Sequence, residues 1–455
     1  MKNLNKTISL LALTLGYSLY TSAQTTVASI ISSNQTWTAA GSPYILPQNI
    51  LVNKGVTIDV KPGVTIQGSG LLMIINGEFT AIGTKDSVIV IDSVELQFTA
   101  ESVDYDKTTG TGSQFQYCLF PDGGSGVSRT ITLTQTSMFV KNCKFINRYY
   151  YIYSYNQRGG GSDLIVEKSI FTGNNRGYVT YLSSDVILEM TDCYAENIMY
   201  IYTGNNATIT KCAFINLRSV KLTTRYTNVV LKCNLFKDFQ FGVLDLTYPG
   251  PNANVEIVEN TFDGAQYFIS FSAKNLSNSK TVIKNNNFLA YTSNSIKTGR
   301  SSTPGIYDTL NFQGNYWGAG STATIDAGIH DFNDDITLDG VIDYGNRRTT
   351  LAKTCTGGGT IGGADTSGVN VGVYELTNEQ ISLYPNPADL DINVSANGQM
   401  IHAIIVTDLQ GKTSIELNES NLNHTLDVST LVEGIYIIEA RGDGFISRNK
   451  LVVKH

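Results

Sequence analysis

Tyr151, Tyr178 and Tyr200 each stand directly before a β-branched apolar residue: Ile152, Val179 and Ile201. Tyr153 and Tyr202 follow two of these, and Tyr267 stands further along. In an extended chain, alternate residues face opposite ways. If Ile152, Val179 and Ile201 point into a core, the tyrosines point out of it and lie above one another. An aromatic strip with Arg148, Arg176 and Arg218 nearby suits a long, even acidic, polysaccharide, because sugar faces stack on rings and Arg pairs with carboxylates. Tyrosines that only stack on each other across strands would give the same pattern. A second cluster is acidic. Asp331, Asn333, Asp335 and Asp339 place hard oxygen ligands at alternate positions, which suits Ca²⁺. Ile336 occupies the place where an EF-hand loop needs Gly and no Glu closes the run, so a plain turn competes with the Ca²⁺ reading. No other cofactor is suggested, and none is required.

These residues need a scaffold, and the chain repeats one. Lys141-Asn142-Cys143-Lys144-Phe145-Ile146-Asn147 returns in altered form along its length. With Phe145 as anchor, the equivalents are Phe120, Phe171, Ala195, Phe214, Phe236, Phe262, Phe288 and Trp317. From Phe120 onward the steps are 25, 26, 24, 19, 22, 26, 26 and 29 residues. A period of this size marks stacked supersecondary units. Two residues before the anchors stand Cys118, Cys143, Ser169, Cys193, Cys212, Asn234, Asn260, Asn286 and Asn315. Residues two apart on a strand share a face, so both columns should point inward. Two residues after the anchor, Asn147, Asn197, Asn216 and Asp238 suit a left-handed corner. A further apolar column is expected at Ile152, Val179, Ile201, Val220, Val243, Phe268 and Ile296. The alternating β-branched and aromatic segments argue against helix, and no leucine ladder supports a leucine-rich repeat. The expectation is an all-β chain: a right-handed parallel β-helix solenoid, a Gly-rich linker and a small antiparallel β-sandwich.

At 455 residues the chain has room for two or more domains. A net charge of −7 argues against nucleic-acid binding. Residues 1–23 read as a signal peptide: Lys2 and Lys6, the apolar run Ile8 to Leu19, then Thr21-Ser22-Ala23 for cleavage near Ala23. The apolar run is short of the about 20 residues that span a bilayer, and no other stretch is long enough, so no transmembrane segment is expected in the mature chain. Four of the six cysteines, Cys118, Cys143, Cys193 and Cys212, fall in the inward column and are expected to be reduced and packed. A Cys193–Cys212 disulfide is the alternative, since adjacent coils lie within bonding reach. Cys233 and Cys355 complete the set. Residues 24–354 form the β-helix, and 355–380, with Gly357-Gly358-Gly359 and Gly362-Gly363, a flexible linker.

The opening passage, Ile50-Leu51-Val52-Asn53, Val56 to Val60, Val64-Thr65-Ile66 and Leu71 to Ile75, resembles the first coils of secreted β-helices of the pectate-lyase-like superfamily. Trp37 to Pro47 is expected to cap the open end, which would otherwise be an exposed edge. Gly314-Asn315-Tyr316-Trp317-Gly318 and the Asp-rich turn resemble its closing segment. The resemblance implies a fold that carries lyases, hydrolases and adhesins alike. Lyases of this kind use Ca²⁺ and an Arg or Lys base. Their Trp-Ile-Asp-His and Arg-x-Pro-x-x-Arg signatures are missing, which leaves Lys221, flanked by Arg218 and Arg225, as the candidate base, or as ordinary solvated cations. The hydrolases use clustered aspartates. Asp334-Asp335 is the only vicinal pair, and it lies in the closing turn, without a Gly-His-Gly or Arg-Ile-Lys block.

The C-terminal motifs are Leu383-Tyr384-Pro385-Asn386-Pro387, Val406-Thr407-Asp408-Leu409-Gln410-Gly411-Lys412, Leu431-Val432-Glu433-Gly434-Ile435-Tyr436-Ile437 and Lys450-Leu451-Val452-Val453-Lys454. They resemble the type A sorting domain of the type IX secretion system of Bacteroidetes, over residues 381–455. That implies engagement of the type IX machinery and delivery through the periplasm to the outer-membrane surface or the medium. The expectation is a monomeric binding or adhesion module for polysaccharide. A divergent polysaccharide lyase or glycoside hydrolase, and a structural surface protein, are the alternatives.

Overall fold

The computed structural model describes residues 24–352 and 381–455, except 123–127, 155–161, 222–225, 247–248, 272–279, 300–304, 319, 397–400, 409–412, 418, 420 and 443–444. The expected signal peptide, the linker with Cys355, and Arg225 lie outside the described residues.

Each coil of the solenoid holds three short strands, as in Met138–Lys141, Lys144–Ile146 and Tyr150–Ser154. The first strand of each coil stacks into an 11-stranded sheet, and the other two join a 23-stranded one. All pairing within both stacks is parallel. The register runs Phe120, Phe145, Phe171, Ala195, Phe214, Phe236, Phe262, Phe288, as the spacing predicts. These rings stack at 4.5 Å (Phe120–Phe145), 4.9 Å (Phe145–Phe171) and 5.0 Å (Phe236–Phe262), close to the strand spacing of about 4.8 Å. Cys118, Cys143, Cys193 and Cys212 are buried free thiols in the inward column, and Cys233 is disulfide-bonded. Where Cys gives way to Asn the column becomes a ladder. The backbone N–H groups of Asn234, Asn260 and Asn286 donate to the side-chain oxygens of Asn260, Asn286 and Asn315 at 2.9, 3.0 and 2.8 Å.

Asn147, Asn197, Asn216 and Asp238 have φ of 48°, 55°, 53° and 54°, the left-handed corner expected of them. A second left-handed corner, unforeseen, precedes the Cys/Asn column at Asn142, Lys168, Asp192, Lys211, Cys233, Glu259 and Asn285. The further apolar column needs correction. Ile152 pairs with Thr180, not Val179; Val220 pairs with Leu244, not Val243; and Ile296 pairs with Ile269, not Phe268. The cause is a pair of consecutive inward residues, Tyr151-Ile152, Val179-Thr180, Val243-Leu244 and Phe268-Ile269, all fully buried.

Strands of the solenoid precede the expected cap, Trp37 to Pro47. Thr25–Thr26 and Ile30–Ile31 already pair with the next coil, and Trp37 pairs with Val60 as the first strand of the 11-stranded sheet. Trp37 stacks on Tyr44 at 4.7 Å and closes that end. At the other end Trp317 lies 4.7 Å from Phe288, followed by a short helix, Thr322–Gly328, capped by the Ser321 side chain. The C-terminal unit holds an antiparallel sheet of three strands, Ser382–Tyr384, Asp391–Ser395 and Asn423–Asp427. Beside it is one of four, Ile401–Thr407, Thr413–Leu417, Gly434–Gly442 and Phe445–Val453. They share a core of their own that includes Ile392, Ile404, Leu426, Ile438 and Leu451. Among the described residues no helix is long and apolar enough to cross a membrane.

Candidate functional site

The consecutive inward pair shapes the outer face. In Tyr150–Ser154 it leaves Tyr150 and Tyr153 outward with Tyr151-Ile152 between them, and in Tyr178–Tyr181 it does the same around Val179-Thr180. The shorter strand Tyr200–Tyr202 turns both of its tyrosines out around a single inward Ile201. Six tyrosines therefore form two in-register ladders over three coils. In one, Tyr150 stacks on Tyr178 at 5.1 Å and 17°, and Tyr178 leans on Tyr200 at 5.4 Å. In the other, Tyr153–Tyr181 and Tyr181–Tyr202 stack at 5.5 and 4.8 Å, within 14° of parallel. Edge contacts tie the ladders together, Tyr178–Tyr181 at 5.3 Å. Tyr149 flanks the grid and is 45 % exposed.

Identical rings repeated at the strand spacing stack on each other, so their faces are largely used up. The grid presents ring edges, which carry the positive end of the aromatic quadrupole, and phenol hydroxyls. Little ring face is left for the sugar-on-face contact expected from the sequence. Burial, then neighbouring phenols, raises the pKa of Tyr150 and Tyr178, so both remain neutral donors and acceptors.

Cations cap the grid. The Arg129 guanidinium lies 4.4 Å from the Tyr153 ring centre, and Lys221 Nζ lies 4.7 Å from that of Tyr200. Arg218 sits between Phe241 at 4.4 Å and Tyr200 at 5.7 Å. Glu95 stands near Arg129; burial raises its pKa, against the pull of Arg129 and a hydrogen bond from Thr132.

The remaining sequence candidates separate. Tyr151 is not on the face: it is fully buried, packs edge-on to Phe145 and Phe171, and donates its hydroxyl to the Thr172 carbonyl at 2.7 Å. Arg148 is only 3 % exposed, and its guanidinium nitrogens make no hydrogen bond. Burial lowers its pKa, opposed by the charges of Asp92 and Asp122. It lies beneath the surface and not on it. Arg176 is exposed at the neighbouring corner. Tyr267 lies four coils beyond Tyr178 and carries Lys297 on its ring at 3.9 Å. Lys221 is exposed and stands beside Asp245 in the register, but no carboxylate pairs with it among the described residues. The Asp-rich turn spends its oxygens on its own backbone. The Asp331 carboxylate accepts the N–H groups of Asn333 and Ile342, each at 2.8 Å, and Asp335 accepts that of Thr337 at 2.8 Å. Asp339 is 1 % exposed. Among the described residues no group of three or more His, Cys, Asp or Glu could hold a metal ion.

Tyr150, Tyr181, Arg129 and Lys297 escaped the sequence reading. Tyr150-x-x-Tyr153 and Tyr178-x-x-Tyr181 share a spacing of three, which was the available signal.

Comparison with known families decides the C-terminal unit. Residues 382–454 match the secretion system C-terminal sorting domain. The chain thus carries the type IX sorting tail of a secreted or cell-surface protein, attached to a parallel β-solenoid. No characterised protein and no solved structure matches the chain.

Proposed function

We propose that the solenoid is an exported binding or adhesion module that holds a polysaccharide along its tyrosine face. The observation that carries this reading is the grid itself: six half-buried tyrosines in two ladders over three consecutive coils. Stacking alone would account for the rings, because apolar rings would stack as well. It does not account for a hydroxyl on every one of the six rings. The rung repeat of about 4.8 Å is close to the length of one sugar in an extended chain, so successive hydroxyls meet successive sugars. Each hydroxyl can donate and accept, which matches the mixed groups of a sugar edge. Delivery to the cell exterior by the sorting tail places such a face where polysaccharide is met.

The test separates binding from stacking. Tyr178→Phe, Tyr181→Phe and Tyr202→Phe together keep the rings and remove three hydroxyls. Retention in affinity electrophoresis across a panel of neutral and acidic polysaccharides is expected to drop by about tenfold or more, with the melting temperature little changed. Unaltered retention of every polymer that the natural protein binds would refute the reading.

A further inference from the structure

The cations around the tyrosine face are mounted differently from the ion-paired lysines of the solenoid. On the 11-stranded sheet and its loops, several lysines meet carboxylates: Lys61 with Asp59 at 2.6 Å, Lys107 with Glu189 at 3.0 Å, and Lys141, which also lies 5.8 Å from the Phe139 ring, with Glu167 at 2.8 Å. On the tyrosine face Arg129, Arg218, Lys221 and Lys297 form no ion pair among the described residues, and each rests on an aromatic ring instead. A ring holds a cation from beneath by its quadrupole without cancelling its charge. The outward side of each cation remains open to an anion.

We propose that the polymer held by this face is anionic, and that these four cations read its charge. The inference rests on the tyrosine face being a polysaccharide site. The positions favour a polymer over a small ion. One register row runs Tyr153, Tyr181, Tyr202, Lys221, Asp245, Ser270, Lys297. Arg129 stands one coil before Tyr150. At about 4.8 Å per coil, Arg129 and Lys221 lie roughly 19 Å apart, and Lys221 and Lys297 roughly 14 Å. A single carboxylate or sulfate reaches one of them; a chain carrying such groups at intervals reaches all. Asp245, one coil beyond Lys221, and Glu95, near Arg129, oppose a ligand with charge at every rung. They favour charges set several sugars apart.

The test uses a uronic-acid polysaccharide, and the same material after its carboxyls have been reduced to alcohols. The full chain is compared with the double variant Lys221→Gln/Lys297→Gln and with the control Lys141→Gln on the paired face. The expected result has three parts: the acidic polymer binds, added salt weakens it, and the double variant loses about tenfold in affinity while the control does not. Equal binding of the reduced polymer, with no loss in the double variant, overturns the inference and leaves the polysaccharide reading standing. A loss as large in Lys141→Gln also overturns it, as general charge attraction. Failure of either polymer to bind, together with every neutral one, overturns both.

Discussion

Lys144 is a cation where the fold has no room for one. Its register neighbours are Leu119 and Ile170, and it is 3 % exposed. Burial lowers its pKa from the ordinary 10.5 to about 8. An amine with a lowered folded pKa holds its proton more tightly in the unfolded chain. Between pH 8 and 10.5 the unfolded state therefore binds more protons, and stability rises with pH across that window. Below it the cost is fully present. Lys144→Met should stabilise the protein at pH 7 by about 2–3 kcal/mol and flatten the rise. Urea midpoints measured from pH 7 to 10.5 check this; a flat profile in the natural protein would show that Lys144 is not desolvated. Single side chains of this kind were hard to read from the sequence. Lys144, Arg148 and Tyr151 are residue types usually found at least partly exposed, and only the packing around each one buries it.

The column is the next scale, and there the sequence was far more legible. From Phe120 to Phe288, with Ala195 the one exception, Phe stands two residues after a Cys, Ser or Asn, and an i, i+2 relation survives any change of loop length. Asn at the corner was legible as well, because few residue types accept a left-handed backbone. The second corner stayed hidden since Lys168, Lys211 and Glu259 hold that conformation without being typical of it. On the tyrosine face only the first coil was read one residue out of step, Tyr151 for Tyr150, because two adjacent inward residues break the period of two. What the inward column does energetically also needed coordinates. Asn260 accepts from the backbone and side chain of Asn234 at 2.9 and 3.0 Å, and donates to the Leu231 carbonyl at 2.8 Å. Asn260→Leu removes the acceptor for a buried N–H and the donor for a buried carbonyl, and should cost about 2–4 kcal/mol. Cys193→Ser should cost less than about 1 kcal/mol, since Ser169 holds the equivalent place and accepts the Cys143 N–H at 3.2 Å. Equal losses in urea unfolding would mean that the ladder contributes nothing beyond packing.

At the scale of the whole molecule, the chain carries two cores with no residue in common. One runs from Val27 to Ile342, the other from Ile381 to Val453. The tail was readable from its motifs because their residues serve that fold directly: Asn386 accepts the Val452 N–H at 2.9 Å and donates to the Lys450 carbonyl at 2.8 Å, tying its first motif to its last. The role of the solenoid was not readable in the same way, because a stacked scaffold tolerates many side chains on its outer face. Separate cores predict separate melting. Calorimetry of the chain from residue 24 onward should show two transitions, the smaller with an enthalpy of about 50 kcal/mol, as befits a unit of roughly 70 residues. Ending the chain at residue 380, which keeps all six cysteines, should remove that transition and leave the larger one at its original temperature. A single transition that shifts downward on truncation would mean that the tail braces the solenoid. Loss of the tail would then loosen the tyrosine face, where separate cores would leave that face intact.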